Sequence, residues 1–400
     1  MEPAPVPGGT PGEAPVGDTT RVSTGWSGLD ACRRTLLDAE GRIAAVCTSP
    51  RGTRLQLIDP GSLHPDAVRD LPDPGRCGRG VLALRDDGVL VAGSARRLLL
   101  LRPSGDGLTT VDAVDLELAA DDCLRDVATS GARVWFVSAD GVVGALDAGR
   151  VRTRALGEPV VTGLAVDATD LVVATTRAVH RLGPDLRPRW RAPYDVGSRT
   201  KVGQPGPGTG TRPVVLPGGL VAVTDNADPR EQLVVLDRSG EELCRTELFD
   251  DGSATGVDLV AVGSSVVVLD TAGWSRWRTA LGRAPSGAVA RVLVEPGPDG
   301  VRCRVAWTAS ASPAPVVPVV AARTGLVYVV TKRRSWWGVQ AWYLTALDVR
   351  SGRPAFAVRL GLGEALRPVA DRLLLADGDL HLAVRLGQVQ VGDRPPGRAR

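Results

Sequence analysis

Three stretches of this chain concentrate side chains able to do chemistry: Thr224–Gln232 (TDNADPREQ), Asp270–Gly287 (DTAGWSRWRTALGRAPSG) and Thr331–Gln340 (TKRRSWWGVQ). The first offers Asp225, Asn226, Asp228, Arg230 and Glu231. A fourth segment, Tyr194 to Thr211, offers Tyr194, Arg199 and Lys201. The only two lysines of the chain, Lys201 and Lys332, both fall in these segments, and so do Trp274, Trp277, Trp336, Trp337 and Arg333. Carboxylates with shifted pKa values serve as general acids and bases. Lysine and arginine stabilise a developing anion, and aromatic walls with a few polar groups are the usual make-up of a small-molecule pocket. The catalytic candidates are therefore Asp225, Asp228, Lys201 and Lys332. The candidates for substrate binding are Tyr194, Arg199, Asn226, Arg230, Trp274, Trp277, Arg333, Trp336 and Trp337.

Other chemistries find little support. The three histidines, His64, His180 and His381, fall in scattered repeats and none sits near a Ser/Asp partner in the crowded loop sector, which argues against a hydrolytic triad. No CxxC pair occurs, so a zinc site is not expected. The oxygen-rich run Asp225, Asn226 and Asp228 suits Ca2+ by ligand type but lacks the spacing of a calcium loop. GPGTGTR (206–212) is glycine-rich without the GK[ST] of a phosphate loop. No cofactor is expected.

These segments interrupt a β-repeat of roughly 40–50 residues, the period of a propeller blade. Eight apolar, β-branched segments bounded by Gly, Asp, Asn or Pro begin near Arg42, Val81, Cys123, Val161, Arg212, Val257, Val316 and Leu366. The pattern predicts an all-β propeller of four-stranded antiparallel blades, eight being favoured over seven. Only Leu29–Ala39 carries a weak helical period. A Pro/Gly-rich tail (1–22) and a loose C-terminus (393–400) flank one propeller domain (23–392). In such a blade the b–c turn and the d–a connection emerge on one rim. The three stretches are the b–c connections of the fifth, sixth and seventh repeats, and 193–211 is the d–a connection into the fifth.

VVLDRSGEEL (Val234 to Leu243) and ALDVRSGRPAFAVRL (Ala346 to Leu360) resemble the repeat of the PQQ-like, quinoprotein-type propellers. In that repeat a strand ends in Leu-Asp, a Ser/Thr-Gly turn follows, and an outer strand carries a Trp. Leu236, Asp237, Ser239 and Gly240 match, as do Leu347, Asp348, Ser351 and Gly352. Trp190 and Trp307 stand at the outer-strand position, which Cys244 and Phe356 fill in two other repeats. The segment from Trp190 to about Arg353 also resembles a group of actinobacterial propellers, many of them exported, that brings no activity to carry over. The quinone is not implied, because the vicinal disulfide of quinoprotein dehydrogenases needs an adjacent Cys pair and none exists here.

The charge of +3 is too small for a nucleic-acid footprint, and no apolar run of membrane-spanning length occurs. Arg in place of Lys fits a high-GC genome. The N-terminus lacks the pattern of a signal peptide, which predicts a cytoplasmic protein with its six cysteines as buried free thiols. Disulfides are the alternative, with Cys244–Cys303 the first pair to test. Two functions follow from the loop sector. One is a cofactor-free enzyme (cyclisation, isomerisation or elimination) acting on a small hydrophobic or anionic molecule in actinobacterial specialised metabolism. The other is a non-catalytic protein-binding scaffold or homodimer using the Trp-rich rim.

Overall fold

The computed structural model describes residues 14–15, 20–26, 30–105, 107–275, 277, 279, 285–297, 300–334 and 340–392. It is an eight-bladed β-propeller in which every blade is a four-stranded antiparallel sheet. Seven blades are continuous in sequence: 31–71, 81–115, 124–155, 164–193, 214–247, 260–311 and 319–362. The eighth takes its inner strands from 374–392, and the N-terminal strand Arg21–Trp26 pairs with Gly387–Gly392 to supply its outer edge. This strand begins inside the segment expected to be a tail. The blades group into two compact units of four, one within Val161–Glu364 and the other in Gly8–Val160 with Ala365–Arg400.

Six of the eight repeats start close to their expected positions, and the eighth starts at Leu374, not near Leu366. The first begins at Ala31, not near Arg42. Ala31–Leu37, read as weakly helical, is its inner strand and pairs with Ile43–Ser49. Cross-strand pairing overrides a weak local periodicity.

The middle strands are buried on both faces, which is why they read as unbroken apolar runs. Ser265–Leu269 is buried throughout. Apolar layers fill the space between neighbouring blades. Val172, Ala174 and Val179 of the fourth blade meet Val221, Val223 and Val234 of the fifth. Outer strands are largely exposed, as in Arg150–Ala155.

The repeat motif has a physical cause. Trp190 of the fourth blade donates its indole N–H to the carbonyl of Arg238 at 2.8 Å, in the turn of the fifth. Trp307 of the sixth donates to Val349 of the seventh at 2.9 Å. Each turn is held by its aspartate. Asp348 accepts from the Ser351 N–H and hydroxyl, both at 2.7 Å, and Asp237 does the same for Ser239 at 2.8 and 2.7 Å. Gly352 (φ +70°) lies beneath the docked ring, where a Cβ would fall 2.5 Å from Trp307.

The cysteines are not free. Cys32–Cys47, Cys77–Cys123 and Cys244–Cys303 are disulfides, and no free cysteine is present. Cys32 and Cys47 stand opposite one another in register. Cys244, at the place of the docking Trp, is joined to the outer strand of the sixth blade, so a covalent link replaces the indole contact there. No helix among the described residues is long and apolar enough to cross a membrane.

Gly352→Ala is expected to cost about 3 kcal/mol, from overpacking together with a backbone conformation that alanine resists. In urea unfolding, its penalty and that of Trp307→Ala should be less than additive in the double variant, because both remove the same contact. Loss of the Cys244–Cys303 link in a double Ser variant is expected to cost about 2–4 kcal/mol.

Candidate functional site

The loop sector lies in the 161–364 unit. The b–c connections of the fifth and sixth blades span 225–231 and 270–286. The seventh differs from expectation. Thr331 to Arg334 continue a strand, with Lys332 opposite Trp342 and Arg333 opposite Ala341. Trp336 and Trp337 lie outside the described residues.

The long connection from Tyr194 is stitched to both described loops. Asn226 donates from its amide to the carbonyls of Val196 and Arg199, each at 2.8 Å, and its backbone N–H donates to Asp195 at 2.8 Å. The Gly273 N–H donates to Val202 at 2.8 Å. Tyr194 sits in the apolar layer. Its hydroxyl donates to the Thr175 carbonyl and accepts from the Thr209 N–H at 3.0 Å.

At the centre is a buried polar cluster. The Gln204 amide nitrogen donates to Asn226 Oδ1 and to Glu231 Oε1, both at 2.9 Å. Glu231 Oε2 accepts from the Thr255 hydroxyl at 2.7 Å. Lys201 Nζ donates to the Ala227 carbonyl at 2.6 Å and lies 3.8 Å from Asp228 Oδ1. Burial pushes Glu231 up to about 7, against the lowering effects of Thr255 and Lys201. Asp225, fully buried, is pushed up to about 6 by desolvation. Its Oδ1 accepts from the N–H groups of Gln232 (2.7 Å) and Ala227 (3.1 Å), while Oδ2 is buried with no hydrogen-bond partner among the described residues.

The remaining candidates are dispersed. Asp228 is partly exposed and accepts from the Ser198 N–H (3.0 Å) and hydroxyl (2.7 Å), which hold it below the usual carboxylate range. Thus the oxygens of Asp225, Asn226 and Asp228 are divided among separate partners. Arg230 pairs at the surface with Asp251 (2.7 Å) and Glu247 (3.0 Å). Lys332 belongs to a different neighbourhood. It is buried, donates to the Thr279 carbonyl at 3.0 Å and lies 5.8 Å from the centre of the Trp342 ring. Desolvation lowers it to about 8. Trp274 packs on the same Trp342, with centroids 6.0 Å apart. Arg333 and Arg199 are exposed, Arg333 over Tyr343 at 4.4 Å, and Trp277 is 82% exposed.

The structure therefore joins Lys201 to Asp228 and Asn226 to the long connection, and gives Lys332 a separate set of partners. Gln204, Ser198 and Thr255 were not among the expected site residues. Their partners lie 22 to 30 residues away, a pairing that no local spacing signals.

No protein-family model matches the chain, and no curated protein matches it in sequence. Solved structures do match in fold. BamB from Moraxella catarrhalis aligns at TM-score 0.61 and 15% identity, covering 93% of this chain and 99% of that one. The quinohemoprotein alcohol dehydrogenase from Comamonas testosteroni aligns at 0.55 and 13%, covering 95% and 77%. A streptogramin B lyase aligns at 0.50 and 11%, covering 93% and 97%. At these identities the likeness is one of fold, and the neighbours include both enzymes and a protein whose name carries no reaction.

Glu231 is a carboxyl whose folded pKa, about 7, exceeds the ordinary 4.5. The folded state then binds more protons than the unfolded one between those values, so Glu231 makes stability fall as pH rises through that window. The loss is on the order of 3 kcal/mol. Asp225 acts in the same direction up to about pH 6. Glu231→Gln should flatten the decline, measured by urea unfolding from pH 4.5 to 8. An unchanged slope would remove Glu231 as its source.

Proposed function

We propose that the protein is a non-catalytic binding propeller whose partner is another protein, engaged by the loop rim of the 161–364 unit. One observation carries this. Lys201, Asn226 and Glu231, the groups suited to chemistry, are buried and hydrogen-bonded to the loops they order. Among the side chains facing solvent are Trp277, Arg199 and Arg333, beside the partly exposed Asp228 and Arg230. Trp and Arg are the residue types that most often anchor protein interfaces. The pairing of all six cysteines favours maturation in an oxidising compartment over the cytoplasm expected from the sequence.

A second function is favoured by Asp225 alone. A buried carboxyl near pH 6 with one unpartnered oxygen has the properties of a general base. Cofactor-free proton transfer on a small hydrophobic or anionic molecule, in an actinobacterial biosynthetic setting, would use Asp225 as the base.

Affinity capture followed by titration of the purified partner separates the two. Trp277→Ala and Arg333→Glu are expected to weaken the purified partner by tenfold or more while Asp225→Asn leaves it unchanged. A second copy of this chain as the captured species would appear as a dimer by light scattering. Undiminished binding by both rim variants contradicts the proposal. Retention of a small molecule that Asp225→Asn releases would favour the enzyme.

A further inference from the structure

The other unit holds a second concentration of charge, on its inner strands. Arg34 lies in Ala31–Leu37, Arg79 just before Val81–Leu84, Arg125 and Asp126 at the start of Leu124–Ser130, and Asp371 before Leu374–Ala376. These strands pack side by side from blade to blade. Arg34 is nine-tenths buried. Its Nη1 lies 3.0 Å from Asp371 and its Nη2 3.5 Å from Asp126, while its Nε is sealed from solvent with no partner among the described residues. Arg125 donates from Nε to the Val160 carbonyl at 3.2 Å. Arg79 is half-buried and makes no hydrogen bond or ion pair among the described residues. Arg33 is also close enough to act on it.

Two carboxylates thus face three guanidiniums and the nearby Arg33. Burial, then repulsion from Arg34 and Arg125, outweighs the attraction of Asp126 and pushes Arg79 down to about 10, which leaves it charged at neutral pH. A half-buried cation among like charges is unfavourable unless an anion neutralises it. Asp126 offsets this only in part, and Arg79 makes no hydrogen bond or ion pair among the described residues. The guanidinium fork matches carboxylate and phosphate oxygens in bidentate geometry.

We propose that these inner strands form a binding site for a small polyanion bearing carboxylate or phosphate groups, with Arg79 as the principal contact and Arg125 and Arg33 beside it. The site is built from residues of the other unit and does not depend on the partner proposed for the loop rim.

Calorimetric titration of the full chain with citrate and with pyrophosphate, at ionic strength matched with sodium chloride, tests it. The wild type should bind at least one probe stoichiometrically. Citrate alone indicates a polycarboxylate, pyrophosphate alone a phosphate compound, and both together the shared chemistry. Arg79→Gln and Arg125→Gln should each weaken binding by about tenfold or more, whereas exposed Arg187→Gln should not. Arg79→Gln without ligand should melt no lower than the wild type, since it removes repulsion. Failure of both probes to bind, full binding by Arg79→Gln, or a lower melting point of that variant would each overturn the assignment.

Discussion

The loop rim depends on one side chain, Gln204. Its amide nitrogen holds Asn226 and Glu231 at once, and its carbonyl oxygen accepts from the Lys201 N–H at 2.9 Å. Through these bonds a long blade connection and the fifth-blade loop become one body. The hydroxyl of Thr255 and the backbone contacts of Gly203 and Val202 extend it to the sixth blade. A buried polar network of this kind is costly when partly satisfied and rigid when complete. Here most members are complete, and the oxygen left over belongs to Asp225.

The scaffold beneath obeys different physics. Apolar layers hold neighbouring blades together without specifying their offset. From the fourth to the seventh blade, directional contacts at the outer strands add that specification: two indoles, each donating to a turn carbonyl, and one disulfide standing where a third indole would be. Loops on such a base can be long and polar without threatening the fold.

The sequence reveals the scaffold better than the site. Blade period, strand order and the Asp-Ser-Gly turns are local signals, and Trp190 and Trp307 follow from them. The inner strand at Ala31 escaped because its polar centre, Arg33 to Thr35, hides the alternation. Cys32–Cys47 and Cys77–Cys123 escaped because thiol pairing is set by which strands become neighbours, whereas Cys244–Cys303 is the pair the sequence offered first. Lys201 and Asn226 stood out by type and location, yet their role depends on partners tens of residues away. The arginine cluster escaped for a related reason: Arg34, Arg79 and Arg125 fall in three separate repeats among many surface arginines. Only the stacking of inner strands unites them.

The central claim is that the loop rim is a single ordered body held by buried polar bonds. Hydrogen–deuterium exchange on Gln204→Ala tests it most directly. Segments 194–211 and 225–231 should lose protection together, by a similar factor, while the middle strands Leu220–Thr224 and Ser265–Leu269 keep theirs. Loss confined to the residues flanking position 204, with 225–231 as protected as in the wild type, would contradict it.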